Sequence, residues 1–500
     1  MAHGPAPVVE ALHVRVLDFP TDAPEADGTA SWDSTTMVLV EAAAGDHHGL
    51  GWTYGAAAAA GVVTELLAEQ VTGRSAFDVP AANEAMHRAL RNAARPGIGG
   101  YALSAVDIAL WDLKARLLGV PLADLFGRAR TGVPVYGSGG FTCYDEGQLE
   151  RQLRGWAVDE GIARVKIKIG EAWGSREDRD LARIRQARET VGPGTELYVD
   201  ANGAYTAKQA IRVAERFREF GVRWYEEPVS SDDLPGLARV RAATGADVAA
   251  GEYGFTLPYF AAMAPVVDCL QADATRCGGL TVWLRAGALA QAHGLELSAH
   301  CAPHVHAHAA AALPNLRHVE WFHDHVRVER LLFDGVLDPA GGELRPGADG
   351  TPGLGLTARP EILARYGRGA GGDASGRATT RRPAGTEAGP AAPTEPQDPG
   401  ASHLVHPNAP RAGFRRYAPL PAPPGGNPAP HSDNPRPPAG NPPPHSDNPP
   451  PPTGNPALPG DNPAPPGRNP APPGDNPAPP GGNPASPAFE ARGPGRSPDL

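Results

Sequence analysis

The chain has 500 residues, of which 57 are proline and 61 glycine, but 38 of the prolines lie after Gly367 and only 19 before it. An ordinary globular part of about 367 residues is therefore followed by a tail that cannot build a core. A formal net charge of −11 excludes a global attraction for nucleic acid or anionic membrane, and four cysteines without a CxxC pair exclude a disulfide scaffold or a zinc ribbon and fit a reducing cytoplasm.

The N-terminus lacks a basic region followed by a long apolar run, so no signal peptide is expected, and no stretch is apolar enough to span a membrane. From residue 10 to 130, HVRVLDF and TTMVLVEAA read as strands. TELLAEQV, ANEAMHRALRNAA and ALSAVDIALWDLKARLLG repeat apolar residues at helical spacing. Strands followed by helices predict an α+β domain. FPTDAPEADGTASW, residues 19–32, reads as a polar loop without periodicity.

Beyond 133 the rhythm changes. VPVYGSGG, ARVKIKIG, ELYVDANG, VRWYEEP, ADVAAGE, CLQADAT, LELSAHC and HVEWF are strands that alternate with amphipathic helices. Their spacing of about 22 to 33 residues suits a strand, a crossover helix and two loops. Eight such units predict a closed parallel (β/α)-barrel with its chemistry at the C-terminal strand ends. LPYFAAMAPV supplies the least regular crossover.

In the tail, Asn427, Asn434, Asn441, Asn448, Asn455, Asn462, Asn469, Asn476 and Asn483 recur every seven residues, each followed by proline. The prolines forbid a coiled coil, so residues 368–500 are expected to be a disordered, polyproline-like spacer. PxxP docking to an aromatic groove is the functional alternative.

Parallel barrel strands should be almost wholly apolar, yet seven in succession end in ionisable residues. Asp200, Glu226 and Glu252 stand 26 residues apart on consecutive strands. Three oxygen anions at one rim favour a hard divalent cation, Mg²⁺ above all. Glu227, next to Glu226, should point to the opposite face of its strand. Lys166 and Lys168 share a face, and their mutual repulsion should lower the pKa of at least one toward that of a base. Asp273 and His300 lie on adjacent strand ends, where the carboxylate would fix the imidazole. Glu320, with a raised pKa, could donate a proton or a hydrogen bond to a substrate carboxylate. His304, His306 and His308 resemble a zinc cluster only weakly, and His304 is instead a candidate substrate contact. Arg276 to Gly279 form a turn in which Cys277 packs.

These motifs resemble the enolase superfamily, in its mandelate racemase group, over residues 10 to 367. VKIKIG resembles the group's K-x-K motif. Asp200, Glu226 and Glu252 match its metal ligands, Asp273 and His300 its Asp–His dyad, and Glu320 its acidic electrophile. The resemblance implies an N-terminal α+β capping domain over residues 1–130, a barrel over 131–340 and a segment 341–367 that returns to the cap. It implies one Mg²⁺ per subunit and abstraction of the proton α to a carboxylate. Lys168 would be the base on one face and His300 the base or acid on the other. Lys166 would hold the substrate carboxylate and Asn202 would line the site. The loop at 19–32, with Trp32 as a candidate substrate contact, would close over it.

The polar residues of that loop favour an acid-sugar dehydratase, while Trp32 and Phe19 lean toward a racemase or epimerase of a 2-hydroxy acid. Cycloisomerisation is disfavoured, because such relatives usually carry lysine at the place of His300. A barrel that binds an acid without turnover is the non-enzymatic alternative. The expected partner is a small carboxylic acid, with no nucleic acid or membrane, in a homo-oligomer.

Overall fold

The structure, a computed structural model, describes residues 7–368. The expected spacer and its PxxP motifs lie, apart from Arg368, outside the described residues. No described helix is long and apolar enough to cross a membrane.

Three antiparallel strands, β1 (Ala11–Ala26), β2 (Ser31–Ala44) and β3 (His47–Tyr54), form the N-terminal sheet in that order. Two features depart from the sequence pattern. The segment expected as a loop is the end of a long hairpin, since pairing resumes at Glu25↔Trp32 and Ala26↔Ser31 after an irregularity between Pro20 and Glu25. Pro20 and Pro24 have no N–H to give a ladder, and they sit where the pairing breaks, which hides the strand from a periodicity reading. Asp27 closes the tip, its Oδ1 accepting from the backbone N–H of Thr29 at 2.6 Å and of Ala30 at 2.7 Å.

β3 was not expected, because Gly49 and Gly51 interrupt its apolar pattern. The structure explains them. The helix Ile98–Leu118 crosses β3 so closely that a Cβ on Gly51 would stand 2.2 Å from the Ala105 carbonyl oxygen, and one on Gly49 2.3 Å from that of Ala109. Only glycine permits that approach. Val38, Val40 and Ala42 of β2 share a buried core with Leu103, Val106 and Leu110 of this helix.

Eight parallel strands follow: β4 (Val133–Gly139), β5 (Arg164–Lys168), β6 (Glu196–Asp200), β7 (Val222–Glu226), β8 (Asp247–Ala250), β9 (Cys269–Ala272), β10 (Glu296–Ala299) and β11 (Leu316–Phe322). They pair in chain order, and β11 pairs with β4 to close the barrel. The irregular crossover is a helix of seven residues, Leu257–Met263, followed by a 3₁₀ turn. The barrel interior below the mouth is filled by the rings of Tyr136, Tyr198, Trp224 and His318, with Tyr198 stacked on Trp224 at 5.5 Å and His318 edge-on to Tyr136 at 4.5 Å. This floor leaves the C-terminal strand ends as the place for chemistry.

The chain then returns to the cap. The Leu354 N–H donates to Asp112 at 2.6 Å, Gly367 bridges to Leu17, and Tyr366 packs on Phe19 with centroids 4.8 Å apart. Phe19 is thus a buried anchor rather than a wall of the site.

Three histidines in this frame are held neutral. Burial lowers the pKa of His308 to about 3 and, with nearby positive charges, drives those of His318 and His325 well below the ordinary value. A group whose folded pKa is depressed stabilises the fold above its unfolded pKa, and that contribution is lost as pH falls toward the folded value. Stability against urea should therefore decline from about pH 6.5 downward. His308→Asn should flatten that decline, and an equal slope in the variant would contradict the assignment.

Candidate active site

The register of β5, β6 and β7 sets Lys168 beside Asp200 and Asp200 beside Glu226. Lys168 Nζ donates to Asp200 Oδ2 at 2.6 Å. Lys166 Nζ bonds Glu226 Oε1 and lies 2.8 Å from Glu320 Oε1 and 3.4 Å from Asp200 Oδ2. Glu252, two residues past the end of β8, pairs with Arg276 at 3.2 Å, and its Oε2 lies 3.3 Å from His300 Nε2 without a hydrogen bond. Asp200, Glu226 and Glu252 are all buried, and each offers an oxygen within 4.8 Å of the other two. An all-oxygen set this close, with an unpartnered oxygen on Glu252, fits a hard divalent cation.

On the other side of the barrel, His300 Nδ1 is 2.9 Å from Asp273 Oδ2. Asp273 is itself fixed, its Oδ1 accepting from the Thr275 N–H and hydroxyl at 2.7 Å each, and Arg276 Nε lies 3.2 Å from Oδ2. That leaves His300 Nε2 facing Glu252, Cys301 and Glu320. Glu320 accepts from the Ser138 hydroxyl at 2.6 Å and the Cys301 N–H at 2.9 Å. Asn202, at φ 46°, donates its N–H to Asp200 Oδ1 at 2.9 Å.

The structure corrects three expectations. Burial alone would lower the Lys168 pKa, but Asp200, assisted by Glu320 and Glu226, outweighs both burial and Lys166 and lifts it well above the usual lysine range. Lys166 moves the same way, through Glu226 and Glu320. The lysines repel, but three carboxylates from three strands surround them. Glu320 is held far below the usual carboxylate range, because Lys166, His300 and Lys168 overcome its burial. It is an acceptor here, not a proton donor. Glu227 is not set apart from the site: β7 ends at Glu226, Glu227 takes φ 35°, strand alternation no longer applies, and its carboxyl lies close enough to Glu252, Asp200 and Glu226 to feel their charges. It is buried with Oε1 unpartnered, and burial, then Glu252 and Asp200, push its pKa up. Asp200 itself is pulled down to about 2: Lys168 and Lys166 outweigh its burial.

His300 has a raised pKa: burial works against it, while Glu252, Glu320 and the bond to Asp273 favour the imidazolium. His304 Nδ1 meets Glu329 at 2.5 Å, and Glu329 also accepts from Trp52 and Tyr54 of the cap. No hydrogen bond links His304 to the Lys–His group. His306 is structural, its Nε2 accepting from the Ala274 N–H at 2.8 Å and its Nδ1 facing the Cys301 carbonyl.

The hairpin covers this mouth. The Gly28 carbonyl accepts from the Trp173 N–H at 2.9 Å, and a Cβ on Gly28 would lie 2.7 Å from the Ile169 carbonyl oxygen. Trp32 packs edge-on to Phe141 at 5.7 Å and joins Tyr144 and Phe322 in an aromatic wall that Cys301 completes. The sequence reading missed Ser138, Arg276 and Cys301. Of these, Ser138 and Cys301 flank motifs it did use, and Arg276 lies three residues past Asp273.

A closed parallel barrel with a covering cap and a carboxylate trio between a lysine and a histidine defines an enolase-type enzyme. The family models agree: residues 12–127 match the mandelate racemase / muconate lactonizing enzyme N-terminal domain, and residues 148–362 match the enolase C-terminal domain-like family. The chain belongs to the mandelate racemase/muconate lactonizing enzyme family of the enolase superfamily. It is similar to a mandelate racemase/muconate lactonizing enzyme-like protein from Rubrobacter xylanophilus, at 53% identity and a TM-score of 0.70, over 72% of this chain and 100% of that one. A racemase from Streptomyces coelicolor with bound magnesium is 29% identical, with a TM-score of 0.68, over 72% of this chain and 100% of that one. L-talarate/galactarate dehydratase from Salmonella typhimurium is 33% identical over 279 residues, 54% of this chain and 69% of that protein.

Proposed function

We propose that this chain is a Mg²⁺-dependent acid-sugar dehydratase, with one ion per subunit. The observation that carries the reading is the pairing of Lys168 and His300. They stand at the ends of β5 and β10, each wired to its own aspartate, with the carboxylate trio between them.

A divalent cation held by Asp200, Glu226 and Glu252 would draw electron density from the substrate carboxylate and so acidify its α-carbon. Lys166 holds that carboxylate, Glu320 keeps Lys166 in place, and Asn202 lines the site. Once Asp200 is engaged by the cation instead of Lys168, the ammonium gives its proton to solvent, and the neutral amine takes the α-proton. His300, charged through Glu252, Glu320 and Asp273, gives its Nε2 proton to the β-hydroxyl, which departs as water. The resulting enol tautomerises to a 2-keto acid. The dehydratase relative supports this outcome. The aromatic wall of Trp32, Phe141 and Phe322 favours a second reading, in which His300 returns its proton to the α-carbon of a less polar 2-hydroxy acid and racemises it.

A panel of sugar acids with Mg²⁺ in heavy water separates the two. A 2-keto product supports dehydration. α-Deuterium incorporation without a keto product supports racemisation. Neither, with any 2-hydroxy acid, overturns both.

A further inference from the structure

The cap hairpin carries a second cluster of titratable groups, on side chains that the mechanism above does not use. Asp22 is half-exposed, and its carboxylate oxygens lie 3.0 and 3.2 Å from Nε2 of His323, the residue that follows β11. Glu25 is only 1% exposed. Its Oε2 accepts from Trp32 Nε1 at 2.7 Å, while Oε1 is buried without a partner. One ligand atom from each of Asp22, Glu25 and His323 lies within 4.8 Å of the other two. Asp324 adds negative charge beside Glu25, and Arg327, bound to Asp324 at 2.5 Å, offsets only part of it. A buried carboxylate oxygen with no donor is costly unless a proton or a cation answers it. Burial, then Asp324, raises the Glu25 pKa to about 9, so a proton fills that place when no cation does.

We propose that Asp22, Glu25 and His323 form a second cation site, separate from Asp200, Glu226 and Glu252, that takes Zn²⁺ and clasps the cap hairpin to the barrel. One imidazole and two carboxylates are a ligand set that zinc accepts, with water in its fourth position. Mg²⁺ prefers oxygen alone, which separates this site from the all-carboxylate trio. Asp22 and Glu25 come from the hairpin and His323 from the barrel, 301 residues beyond Asp22, so one ion would tie the two together. Binding would use the lone pair of His323 Nε2, with the ring proton on Nδ1, and one oxygen from each carboxylate.

The test is a zinc count on the full chain in excess Mg²⁺, by equilibrium dialysis and elemental analysis, with hydrogen exchange of residues 19–32. His323→Ala and Glu25→Gln should each lose about one zinc per chain relative to the unmutated protein, while Glu252→Gln keeps it. Subtraction removes zinc held by histidines elsewhere in the chain. Zinc should slow exchange in 19–32 about tenfold in the unmutated protein and not in His323→Ala. If that variant fails to fold, Asp22→Asn, at an exposed position, must show the same losses. An unchanged zinc count in the hairpin and His323 variants, or a loss confined to Cys301→Ser, would overturn the proposal.

Discussion

Lys168→Ala should lower kcat by about 10³-fold on whichever acid the enzyme turns over, within the range that a positioned general base supplies. The substitution also removes the 2.6 Å partner of Asp200, leaving Lys166 at 3.4 Å as its remaining lysine neighbour beside the Asn202 N–H at 2.9 Å. Stripping one partner from a buried ion pair costs about 3 to 5 kcal/mol, so the alanine variant alone would confuse lost chemistry with lost folding. Lys168→Arg separates them. The guanidinium keeps the positive charge beside Asp200 but cannot act as a base near neutral pH. Arginine should therefore recover much of the thermal stability and little of the turnover. α-Proton exchange in heavy water reads the base directly, without requiring product formation. Exchange at the unmutated rate in both variants would remove Lys168 from the role of base and leave His300 as the candidate.

The lesson of this chain is which quantities are local. Barrel strands were legible because they are short apolar runs that end in charge, and the interval between Asp200, Glu226 and Glu252 was legible because each strand–helix unit repeats it. β3 was not, because Gly49 and Gly51 are explained by a helix some 50 residues further on, whose backbone leaves no room for a side chain. The hairpin beyond Phe19 looked like a loop because two prolines and several acids mask its pairing. Glu25 gives no sign in sequence that it is buried. The sign of the Lys166 and Lys168 shifts depends on a sum over carboxylates brought from β6, β7 and β11, and sequence parity saw only the two lysines. Glu227 shows the limit of the period-two rule, which fails one residue past a strand end.

Glu252→Gln should abolish the response of the protein to Mg²⁺. Each member of the carboxylate trio has a side-chain cation beside it: Lys168 on Asp200, Lys166 on Glu226 and Arg276 on Glu252. The trio is therefore assembled by the fold itself, and chelation should stop turnover without unfolding the chain. Re-adding Mg²⁺ alone should restore activity. Because the ion binds the folded chain and not the unfolded one, Mg²⁺ at a hundred times its Kd should stabilise by about 2.7 kcal/mol and raise Tm. Glutamine keeps the shape of Glu252 but withdraws one charge and a strong oxygen ligand. The Mg²⁺-dependent rise in Tm should then disappear, and kcat should fall by about 10³-fold, since the developing charge on the substrate loses its electrostatic support. A full rise in Tm in the variant would transfer the third ligand to Glu227, whose unpartnered Oε1 lies buried next to Glu226. No rise even in the unmutated protein, together with turnover in EDTA, would mean that these three acids do not hold an ion.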